Sequence, residues 1–110
     1  MRLVVLAALL CLAAAPRLAS AAPDARALFL ENCATCHGEK GDADTDLGAK
    51  YMAQDFTSSD FKEKFDAAKA KKAITNGVKN TKMKAWKGKL SPAEIDALSK
   101  YVMTFPLATR

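Results

Sequence analysis

Apolar and polar residues divide this chain into two unlike stretches. From Leu3 to Ala15 the sequence is almost unbroken Leu, Val and Ala. Beyond Ala22, apolar positions recur at helical spacing between polar segments. Few windows alternate with period two and β-branched residues are sparse, so no strand is predicted. Asp24 is placed to N-cap a first helix that runs to about Asn32 and carries Leu28 and Phe29. A second helical region begins near Ser58 or Ser59, with Phe61 and Phe65 four apart, and continues through an Ala/Lys run to Ile74. It is expected to break near Asp66, and Asn76-Gly77 supplies a left-handed stop. The last helix has the clearest start: Ser91 as N-cap, Pro92 at the first helical position, and Glu94 completing a capping box. Ile95, Leu98, Tyr101, Val102 and Phe105 follow on one face until Pro106. Between these elements, residues 38–48 read as a polar loop and residues 78–90 as irregular chain. The pattern is all-α, with three to five short helices in a single domain.

The apolar start changes the domain picture. It follows the basic Met1-Arg2, is too short to span a bilayer, and ends at Ala19-Ser20-Ala21, a small-x-small site. Residues 1–21 are therefore expected to be a cleaved secretory signal peptide, leaving residues 22–110 as an exported domain with no membrane insertion. Cys11 lies inside the apolar run behind Leu9-Leu10, which does not suit a lipid-attachment site. Cleavage removes Arg2 and Arg17 and no acid, so the formal charge of +5 falls by two. That modest charge on an exported chain argues against nucleic-acid binding.

Two cysteines then remain, in Cys33-Ala34-Thr35-Cys36-His37. A structural disulfide between them would close a loop too short to restrain the unfolded chain much. Zinc needs four ligands, and Cys33, Cys36 and His37 are too few. A thioredoxin-like pair belongs to a βαβ context that is not present. The spacing does suit covalent haem: two thiols one helical turn apart add across the vinyl groups, and the next residue supplies a proximal imidazole. His37 is the sole histidine, so a second axial ligand in this chain is sought among Met52, Met83 and Met103. Met52 follows His37 closely, a short reach to the opposite haem face, and Met103 falls near the apolar face of the last helix. Met83, in irregular chain after a helix stop, is the choice for the distal iron ligand. Asp42-x-Asp44-x-Asp46 hints at a calcium loop, but Leu47 stands where Gly is needed and Ala53 where the bidentate Glu is needed.

The mature sequence resembles the small monohaem class I cytochromes c of bacterial and photosynthetic electron transport. The resemblance rests on Cys33-Ala34-Thr35-Cys36-His37-Gly38, Ala73-Ile74-Thr75-Asn76-Gly77, Met83-Lys84-Ala85-Trp86 and Leu90-Ser91-Pro92-Ala93-Glu94-Ile95, together with Phe29 four residues before Cys33. It implies a compact cytochrome c fold wrapped around one haem c. Cys33 and Cys36 would form its thioethers, His37 and Met83 its proximal and distal iron ligands, and Trp86 would pack near its edge. Leu98 and Tyr101 would pack against the N-terminal helix. Two features depart from the pattern. Lys84 follows Met83 where the family often has Pro, and residues 38–55 contain no Pro whose carbonyl could orient the histidine. Such a protein is a periplasmic one-electron carrier rather than an enzyme, with a subunit or sensor domain of a larger redox complex as the alternative. Lys79, Lys82, Lys84, Lys87 and Lys89 flank Met83 with no acid among them. They predict transient docking of a monomer to acidic redox partners.

Overall fold

The computed structural model describes residues 13–16 and 21–109. Most of the expected signal peptide, residues 1–12 and 17–20, lies outside them. The described residues form α1 (Ala25–Asn32), α2 (Ala34–His37), α3 (Asp46–Tyr51), α4 (Ser59–Lys64), α5 (Ala67–Asn76) and α6 (Pro92–Tyr101). A 3₁₀ turn over Val102–Thr104 extends α6. Among the described residues, β-type pairing is limited to one isolated bridge between Lys87 and Leu90.

Short polar side chains start these helices by accepting otherwise orphaned N–H groups. Asp24 Oδ1 accepts from Ala27 N at 3.0 Å, Ser58 Oγ from Phe61 N at 3.1 Å, and Asp66 Oδ1 from Lys69 N at 2.8 Å. The Asp66 cap explains the expected break: Phe65 is extended, ending α4, and α5 restarts at once. At α6 the capping box is complete, with Glu94 N donating to Ser91 Oγ at 3.1 Å and Ser91 N to Glu94 Oε1 at 2.9 Å.

The helix count exceeds the three to five expected because α2 and α3 are too short to leave an apolar period. Residues 38–48 are accordingly not all loop, since α3 begins at Asp46. Thr45 sets that start. Its Oγ1 accepts from Gly48 N at 2.8 Å and donates to Cys36 O at 2.9 Å, tying α3 to α2. A side chain at Gly48 would run into the Cys36 and Ala43 carbonyl oxygens, so α3 can lie this close only because that residue is glycine.

Phe29, Phe61 and Leu98 are almost fully buried, with Ile74, Ile95 and Val102 beside them. The Phe29 ring meets Tyr101 at 5.4 Å and Phe105 at 5.2 Å between centroids, which locks α1 against α6 as the closing helix was expected to do. Met103 lies in the 3₁₀ turn, packed against this core.

Candidate functional site

The helical frame leaves one largely apolar cleft of about 320 Å³, running in from solvent to core side chains such as Phe29, Phe61 and Leu98. Cys33, Cys36, His37, Met83 and Trp86 all line it. The five residues singled out in the sequence thus meet around one space, although Met83 and Trp86 are far from the others along the chain. A separate, polar concavity, lined by Glu39, Asp42, Asp44 and Thr45 among others, holds none of the five. Among the described residues no three His, Cys, Asp or Glu side chains gather where they could hold a bare metal ion.

Cys33 ends α1 and opens α2, and one turn of α2 carries Cys36 to the same cleft. Both are free, half-buried thiols. Burial, with a smaller contribution from Cys36, pushes the Cys33 thiol up to about 11.

His37 closes α2. Its Nδ1 lies 2.9 Å from the Gln54 carbonyl oxygen, which can only accept, so Nδ1 carries the proton and Nε2 keeps its lone pair. The imidazole stacks on Phe56, 4.5 Å away and 17° from parallel. Burial lowers the His37 pKa, against the opposing influence of the Gln54 hydrogen bond. A neutral, oriented imidazole with a free Nε2 is the form that binds iron. Gln54 is the partner that sequence reading could not assign. Its contribution is a backbone carbonyl, so no side-chain type announces it. Ala43 N to His37 O and Phe56 N to Gly41 O, both 2.8 Å, fix the path of the chain between His37 and Gln54.

Met83 is held by backbone contacts rather than by a helix. Its N–H donates to Thr81 Oγ1 at 3.1 Å, and Thr81 Oγ1 donates to Val78 O at 2.7 Å. Its carbonyl accepts from Val78 N at 2.9 Å. Trp86 N donates to Ile74 O at 2.9 Å, so the chain just after Met83 is clipped to the C-terminal end of α5. The alternatives differ from it. Met103 is absent from the cleft lining; Met52 does line the cleft, but it is 89% exposed, in a left-handed conformation at the end of α3.

Two thiols a turn apart, an imidazole with a free nitrogen and an apolar cleft form a donor set that fits a covalently attached haem. The family model for "Cytochrome C oxidase, cbb3-type, subunit III" matches residues 20–102. The chain belongs to the cytochrome c family. It is 41% identical over 91 residues to the cbb3-type cytochrome c oxidase subunit FixP of Azorhizobium caulinodans, an alignment covering 83% of this chain and 29% of FixP. It is 33% identical to subunit CcoP of Azospirillum brasilense, over 76% of this chain and 28% of CcoP. The chain therefore spans under a third of the length of these oxidase subunits. A match to cytochrome c6 of Euglena gracilis is 35% identical and covers 70% of this chain and 84% of that protein. Among solved structures, the KustC0563 c-type cytochrome superposes with a TM-score of 0.69 at 33% identity, covering 76% of this chain and 99% of that one. This cytochrome c domain carries covalently bound haem c, and the compact all-α fold expected from the sequence is the one found.

Proposed function

We propose that the domain carries single electrons through a haem c whose iron has His37 and Met83 as axial ligands. Cys33 and Cys36 are its thioether residues, and Trp86 packs beside it. The observation that carries this reading is the convergence of all five side chains on one cleft, with His37 Nε2 left unprotonated. When bound, haem c supplies a one-electron Fe(III)/Fe(II) couple. Gln54 and Phe56 hold the imidazole in one tautomer and plane. The clip between Val78 and Met83 presents the thioether, which favours Fe(II) and raises the potential relative to a second imidazole. Were His37 and Met83 both to bind the iron, no coordination site would be left for a substrate, which would describe a carrier rather than a catalyst.

In this reading the mature domain is exported and acts in the periplasm as a monomeric shuttle. The match to a cytochrome c6, which covers 84% of that protein, supports a domain of this size standing alone. The likeness to FixP and CcoP favours a second reading, in which the domain is the electron-entry part of an oxidase complex. Among the described residues no helix is long and apolar enough to cross a membrane.

Spectroscopy of holoprotein matured with haem tests the ligation. The oxidised protein is expected to show a sulfur-to-iron charge-transfer band, the reduced protein to resist carbon monoxide at neutral pH, and Met83→Ala to abolish both properties. Ready carbon monoxide binding by the wild type, or an unchanged band in Met83→Ala, would refute Met83 as ligand. Gel filtration of the exported protein, alone or with a stable companion, separates shuttle from subunit.

A further inference from the structure

The lysine run around Met83 reads as a single basic patch in the sequence, but the fold divides it. Lys82 and Lys84 line the cleft, whereas Lys79, Lys87 and Lys89 do not. Lys82 and Lys84 are also the sole charged side chains in that lining, which contains no acid. Each lies near an aromatic ring of the same cleft, as Lys89 also does over Trp86 at 5.8 Å. Lys82 Nζ lies 5.7 Å from the Tyr51 ring centroid and Lys84 Nζ 5.9 Å from that of Trp86. The Lys82–Tyr51 contact also joins the end of α3 to the Met83 segment.

Haem c is not an apolar guest throughout, since it carries two carboxylates. Carboxylates beside an apolar wall need counter-charge or water. Two lysines with no competing acid match that need in number and sign. We infer that Lys82 and Lys84, unlike Lys79, Lys87 and Lys89, are the cleft's carboxylate-binding residues, directed to the haem propionates. This rests on haem c occupying the cleft. It does not require Met83 to be the distal ligand.

The two groups of lysines have different electrostatic consequences. An uncompensated propionate stabilises the ferric state, so removing its lysine lowers the reduction potential. Loss of the lysine's own charge acts in the same direction.

The test compares holoprotein carrying Lys82→Gln and Lys84→Gln together with holoprotein carrying Lys79→Gln, Lys87→Gln and Lys89→Gln. The measurements are reduction potential at fixed pH and ionic strength and the propionate-bending band in resonance Raman. The cleft double variant is expected to fall further in potential than the triple variant, although it loses less charge, and it alone is expected to shift the Raman band. An unchanged propionate band in the double variant, or a fall in potential no larger than that of the triple variant, overturns the inference. The sulfur-to-iron band is recorded in parallel. Should the double variant lose it, the single variants Lys82→Gln and Lys84→Gln take its place, because a fall in potential caused by ligand loss is a different event. If wild-type holoprotein lacks that band, the His37/Met83 ligation fails, and the Raman comparison still decides the lysines.

Discussion

Gly77 and Met83 are in backbone contact: a Cβ on Gly77 would stand 2.8 Å from the Met83 carbonyl oxygen and 2.7 Å from Ala85 N. Gly77 also has φ +70° and ψ 179°, a conformation essentially reserved for glycine. One residue thus ends α5 and lets the Met83 segment lie against it. Gly77→Ala is expected to destabilise the domain by about 1–3 kcal/mol from backbone strain, with the close contact adding to it. Because the displaced atoms belong to the Met83 segment, the variant should also weaken the sulfur-to-iron band. Urea denaturation and visible spectra check the two effects. A destabilised variant with a full-strength band would mean that Met83 does not depend on this contact.

How far the site could be read ahead depended on whether its parts were contiguous or side-chain encoded. The attachment motif is both, so Cys33, Cys36 and His37 were legible as a unit. The caps at Asp24, Asp66 and Ser91 were legible because each acts on N–H groups two or three residues away. The α3 helix was not. Its six residues include a glycine, and its start depends on Thr45 reaching back to Cys36. The Gln54 carbonyl was hidden for a different reason, since every residue has one and only the fold selects which is used. The division of the lysine run was hidden because it depends on which direction each side chain takes from an irregular segment.

That distinction between side chain and backbone gives a paired prediction at His37. Gln54→Ala keeps the carbonyl that accepts from Nδ1, so stability is expected to change by no more than about 0.5 kcal/mol, and the potential should remain close to wild type. Phe56 is buried and stacked on the imidazole, and Phe56→Ala removes that plate and leaves a cavity. A loss of about 3–5 kcal/mol is expected, with a shifted potential as the ring gains freedom. Redox titration and thermal unfolding of both variants provide the comparison. A strong effect of Gln54→Ala would show that the side chain contributes something beyond its carbonyl.

The closing helix carries a prediction independent of haem chemistry. Ser91→Ala removes one half of the reciprocal capping box, exposing Glu94 N, and is expected to cost about 1 kcal/mol. Ser91→Asp retains an acceptor at the same position and should recover most of that loss. Chemical denaturation followed by circular dichroism would distinguish the two. Equal stabilities for the Ala and Asp variants would indicate that α6 is held by its packing on α1 and α5 without help from the cap.

Cys33 supplies a pH-dependent test. In the haem-free chain its thiol is raised from an ordinary 9.0 to about 11, first by burial and then by Cys36. The folded state therefore holds this proton more tightly than the unfolded state. The associated stability is present below about pH 9 and is lost as pH rises towards 11. Reactivity follows the same sign, because the thiolate is the nucleophile. At pH 8 about one Cys33 in a thousand would be ionised when folded, against about one in ten when unfolded. Alkylation of Cys33 by iodoacetamide at pH 8, read by peptide mapping, is expected to be slower in the folded chain than in urea, by roughly tenfold or more. Its rate should climb about tenfold per pH unit until the thiol titrates. Equal rates in both states would mean that Cys33 is not shielded.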